Sequence, residues 1–236
     1  MSFADEVRRW VSPRSTGGQM ALLLVVSSVL VAAARAVGEQ LLLQPADVIE
    51  QFKLWQLVTP TFIVPPSPLS LIFGVIILLQ SGSWFDERWG RQRTWVFVVG
   101  VNVIANALTV AVGFLSTNVF LMAFAGGYTT IEALWVAQGL LIGPGRISWF
   151  GFPITGYAFA VIGAAFTLLA GLTGSWAAVV PQLLGLVVTI AWVQGYTPSQ
   201  LWLRFRSNQL ERELKRRSSH LSVIQGKKKD RDSYLN

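Results

Sequence analysis

The chain has 236 residues, of which 53% are hydrophobic and 13% charged, with a formal net charge of +7. Soluble domains carry about 25% charged residues and space their apolar residues periodically, whereas here these run in long blocks. With no cysteine and one histidine, His220, the sequence excludes disulfides, thiolate chemistry and a histidine-based metal centre within a membrane.

Composition therefore predicts an all-α integral membrane protein with no metal and no cofactor. Residues 1–19 form an N-terminal segment with Arg8, Arg9 and Arg14. The first apolar block, 20–38, contains Ala34-Arg35-Ala36, which has the small-x-small form of a leader cleavage site. Its apolar run continues to Val37, so it is read as an uncleaved span. Residues 39–66 then mix Asp47, Glu50 and Lys53 with Ile49, Phe52, Leu54, Trp55 and Leu57. That mixture predicts a short amphipathic helix lying in the external interface. Trp55 and Phe62 are its candidates for burial in the outer leaflet.

Further blocks at 68–84, 94–115, 119–141, 154–173 and 175–195 approach the ~20 residues that cross a bilayer. They complete a six-span domain over 20–198. Asn102 and Asn106 lie one turn apart on the third span, where interhelical hydrogen bonding is expected. Gly156, Ala160, Gly163 and Ala164 form a small-residue face on the fifth, suited to close helix packing. In the tail, 199–236, Leu203, Leu210, Leu214 and Leu221 share one helical side amid Arg212, Lys215, Arg216 and Arg217. This pattern predicts a basic amphipathic helix on anionic lipid headgroups, or a partner-docking helix.

Basic residues gather on one side of the six spans: the N-terminal arginines, Arg88, Arg91, Arg93, Arg146 and the tail, against Arg35 and Lys53 on the other. Both termini are accordingly expected in the cytoplasm. The basic residues sit at membrane edges and in one tail, a distribution that does not point to nucleic acid. A bacterial cytoplasmic membrane is the favoured location, because the tail ends Ser233-Tyr234-Leu235-Asn236 without a retrieval signal. An organelle membrane is the alternative.

Several landmarks resemble the rhomboid superfamily and occur in its order. Trp55-Gln56-Leu57-Val58-Thr59 resembles the segment closing the first external loop of rhomboids. Asp86, Trp89, Gly90 and Arg93 resemble the Glu-x-x-Trp-Gly-x-x-Arg pattern after the second span, with Asp in place of Glu. The resemblance implies a six-helix rhomboid-like bundle with an interfacial first loop. It also assigns the protease positions. Gly126-Gly127-Tyr128-Thr129 falls where the proteases carry Gly-x-Ser-Gly, and Gln182-Leu183-Leu184-Gly185 where they carry His-x-x-Gly. Ser70 and Gly74 fall on the His-x-x-x-Asn pair of the second span.

Hydrolysis of that kind needs a serine hydroxyl, a histidine base and donors for the oxyanion. A phenol at Tyr128 is a poor acyl acceptor, the Gln182 amide is not basic, and Gly74 offers no side-chain donor. No histidine lies in any span, so the loss of chemistry does not depend on the alignment. The resemblance is thus to an inactive member, a pseudoprotease. Such relatives bind transmembrane segments or membrane-protein clients in quality control, trafficking or stabilisation. Two other readings stand beside this: a structural subunit of a larger membrane complex, and a small transporter or lipid-handling protein. The last would use Glu132, the one acid in mid-span, since intramembrane acids are functional candidates. Tyr128, one turn away, and Gln182 would join Glu132 in a buried hydrogen-bonded cluster, which is more simply read as helix glue.

Overall fold

The computed structural model describes residues 15–65, 67–149, 151–195 and 206. The chain divides into two units, Met1–Gln194 and Gly195–Asn236. The N-terminal arginines and, Arg206 apart, the amphipathic helix expected in the tail lie outside the described residues.

In chain order the first unit contains α1 (Thr16–Ala33), α2 (Arg35–Leu41), α3 (Pro45–Glu50), α4 (Pro68–Trp89), α5 (Arg91–Gly113), α6 (Thr117–Leu121), α7 (Gly127–Ile142), a β1–β2 hairpin (Arg146–Trp149 and Phe152–Thr155), α8 (Gly156–Thr173) and α9 (Val180–Val193). Local chemistry sets the ends. The Ser15 hydroxyl accepts from Gly18 N at the start of α1, and the Thr155 hydroxyl from Ala158 N at the start of α8. Pro68 opens α4, where a missing N–H leaves no helical bond unmade. Gly90, at φ +79°, turns the chain from α4 into α5, a conformation that favours glycine.

Among the described residues five segments are long and apolar enough to cross a membrane: Thr16–Ala33, Pro68–Trp89, Arg91–Gly113, Gly156–Thr173 and Trp176–Val193. The block expected to span 119–141 is divided. Short α6 is followed by an extended stretch in which Phe124 pairs with Leu43, and α7 begins only at Gly127. The external segment displaces the start of this helix, because Pro60 packs on Gly126 and Gly127 N donates to Ile63 O at 2.8 Å.

That external segment differs from the single amphipathic helix expected over 39–66. It consists of α3 and two 3-10 turns, Leu54–Leu57 and Thr59–Phe62. Side chains hold the irregular backbone. Asp47 pairs with Lys53 at 2.7 Å, and Gln56, fully buried, accepts from Gln44 N and donates to Gln40 O and Asp47. Trp55 donates to Gln40 O and stays half exposed with Phe52, Leu54 and Val58. Phe62 instead turns inward, its ring 5.7 Å from that of Trp95.

Helix α7 is the centre of the bundle and packs against α4, α5, α8 and α9, while α1 packs on α4 and α5 on α9. Close crossings depend on glycine. A Cβ on Gly82 would lie 2.5 Å from Gly17 Cα, and one on Gly139 would lie 2.6 Å from Gly156 O. The small-residue face of α8 is therefore consumed inside the chain, with Gly156 and Ala160 on Gly139 and Gly163 under Trp135.

Candidate functional site

The residues that the sequence resemblance assigned to protease positions lie on α7 and on two helices packed against it, α4 and α9. Tyr128, in the first turn of α7, donates its hydroxyl to Ser70 Oγ on α4 at 2.8 Å. Gly74, one turn along α4, faces Ile131, whose Cδ1 would lie 2.8 Å from an added Cβ. Gln182 lies in the first turn of α9; one turn later Gly185 packs against Thr129. Ser70 and Tyr128 are thus brought into contact, and Gly74 sits beside them.

The cluster expected of Tyr128, Glu132 and Gln182 does not form. Tyr128 spends its proton on Ser70, Gln182 Oε1 is buried without a partner, and Glu132 meets α8. There Thr167 supplies the hydrogen-bonding side chain beside the carboxyl. Full hydrogen-bond geometry is not reached, since Glu132 Oε2 and Thr167 Oγ1 both lack a partner. The physical reason is rotational. Residues one turn apart on α7 share a face, but their nearest polar groups belong to different neighbouring helices.

Two helices flank this face of α7. Both α4 and α8 pack on α7 and hardly on each other. Aromatic side chains fill the space between them. Phe73 of α4 lies 5.4 Å from Trp135 and 6.2 Å from Phe166 of α8, and Trp135 lies 5.6 Å from Phe166. Trp135 is buried above Gly163, yet its indole N–H has no acceptor. The gap therefore has Ser70 and Phe73 on one side, Phe166 and Thr167 on the other, and Tyr128, Glu132 and Trp135 as its floor. Of these, Phe73, Trp135, Phe166 and Thr167 were not singled out from sequence. Trp135, three residues from Glu132, carried the one available signal.

The remaining landmarks brace the bundle. Asp86 Oδ2 accepts from Thr16 N at 2.7 Å, placing a carboxylate at the N-terminus of α1. Trp89 packs with Phe85 and Phe97, Gly90 makes the turn, and Arg93 is exposed. Asn106 donates to Leu57 O, Asn102 to Thr130, and Thr130 to Thr61 O, so the external segment is tied to α5 and α7. Among the described residues no group of three His, Cys, Asp or Glu could hold a metal ion.

A family model described as "Eukaryotic integral membrane protein (DUF1751)" matches residues 19–224, and the chain belongs to that family. No curated protein matches it. The family is eukaryotic, which overturns the bacterial cytoplasmic membrane favoured from the sequence. The error was to read a location from the lack of a tail signal, and that absence does not report the kind of cell.

Proposed function

From membership of this eukaryotic membrane family and the arrangement of the α4–α8 gap, we propose a non-catalytic, rhomboid-like protein that binds transmembrane segments of client proteins. In this reading α7 completes the six spans, standing fourth in chain order. Its 16 residues rise about 24 Å, which suffices because protein surrounds it and its ends need not reach the headgroups.

The observation that carries the proposal is the separation of α4 and α8. Two helices that rest on a common third, with Phe73 and Phe166 meeting between them, can admit a further helix at the cost of moving side chains. The chemistry of the gap supports binding rather than cleavage. Tyr128 is engaged with Ser70, Gln182 cannot accept a proton, and the lone histidine, His220, lies in the tail. The exposed Phe52, Leu54, Trp55 and Val58 suit the outer interface, where aromatic and aliphatic side chains meet lipid.

Site-specific photocrosslinking tests this. A photoreactive phenylalanine analogue at Phe73 or Phe166 should capture membrane-protein clients, many and substoichiometric, while the same probe at lipid-facing Val187 should not. Capture of one stoichiometric partner at every position would instead support the structural-subunit reading. Cleavage of a captured client's transmembrane segment by the purified protein would overturn the non-catalytic assignment.

A further inference from the structure

We propose that the α4–α8 gap selects transmembrane segments bearing a basic side chain in mid-span, which Glu132 receives; the inference rests on client binding at that gap. Three buried polar atoms there lack partners: Glu132 Oε2, Thr167 Oγ1 and Trp135 Nε1. Glu132 and Trp135, three apart on α7, share a face, and Thr167 of α8 stands beside the carboxyl. The Phe73 and Phe166 rings close over Trp135. Removal of these rings from the gap would bring a carboxylate, a hydroxyl and an indole face within reach of an incoming helix.

Helices α7 and α8 carry no lysine or arginine to pair with the carboxyl. No lysine or arginine occurs between residues 68 and 87 or between 147 and 195. Asp47 and Lys53 form an ion pair in the external segment, away from Glu132. A carboxyl group in the hydrocarbon region is costly unless paired, and so is a lysine or arginine on a client helix. Bringing the two together relieves both, and the Trp135 ring can add a cation–π contact. A fully apolar span gains nothing comparable, so the gap discriminates by charge.

The test uses the full chain in phosphatidylcholine nanodiscs with two single-span Leu/Ala peptides that differ only in a central lysine or leucine. A photoreactive phenylalanine analogue at Phe73 reports occupancy of the gap. The lysine peptide should bind about tenfold more tightly, equivalent to about 1.4 kcal/mol. Glu132→Gln should bring the two peptides to parity, and Thr167→Val should reduce the preference in part. Monodispersity in size-exclusion chromatography checks that both variants fold. Equal affinity of the two peptides for the unsubstituted chain overturns the selectivity and leaves client binding at the gap intact. A lysine preference that survives Glu132→Gln also overturns it. Failure of both peptides to crosslink overturns client binding and its selectivity together.

Discussion

Two polar regions of this protein are built on opposite terms. In the external segment the buried polar side chains are well matched: Gln56 makes three contacts, Asp47 pairs with Lys53, and the Thr61 carbonyl accepts from Thr130. Between α4 and α8 the pattern reverses, and Glu132, Thr167 and Trp135 each leave a buried atom unmatched. A matched network stabilises an irregular backbone where proline and turns leave carbonyls and N–H groups without helical partners. Unmatched groups in an apolar setting cost stability and are tolerated where something else gains from them. The contrast is between the external segment and the gap, since Asp86, Asn102 and Asn106 of the bundle also leave one oxygen each unmatched.

Substitutions can break or sharpen that distinction. The largest effect belongs to the frame. Gly82→Val drives a branched side chain into the backbone of α1 and should cost about 3 kcal/mol, seen as loss of monodisperse protein. Gln56→Leu should cost about 2 kcal/mol, because it leaves Gln44 N without its acceptor; the midpoint of thermal unfolding in detergent measures it. Tyr128→Phe removes a single bond to Ser70 and should cost about 0.6 kcal/mol, the mean for such bonds within membranes. Glu132→Gln should change stability by no more than about 0.5 kcal/mol, or raise it, since no completed hydrogen bond is lost. A large fall in the unfolding midpoint for Glu132→Gln would place that residue in the frame and erase the contrast.

Much of the frame was legible from sequence. Apolar block length located the α-helical spans, and Pro68 and Gly90 mark the two ends of α4. The Gly156–Ala164 face was read as a close helix contact, and Gly139 is its partner. Elsewhere the signals were weaker. The β1–β2 hairpin shows only as alternating Ile147, Trp149, Phe152 and Ile154 around Gly151, too short to stand out among apolar blocks. The division of the 119–141 block could not be read, because apolar composition does not distinguish an extended strand from a helix. Phe62 looked suited to lipid yet packs on Trp95, since one aromatic ring satisfies either environment.

The sequence by itself determined that this is an α-helical membrane protein whose spans hold no histidine, because block length and composition are properties of the chain alone. It also singled out Glu132 as an acid within an apolar block. Only the tertiary structure decided which groups meet. The rotation of α7 sends Tyr128 to Ser70 and Glu132 to Thr167, and the packing of α4 and α8 on a common helix sets Phe73 against Phe166. Helical periodicity fixes which residues share a face; the neighbours that a face meets depend on how glycine-lined helices settle against one another.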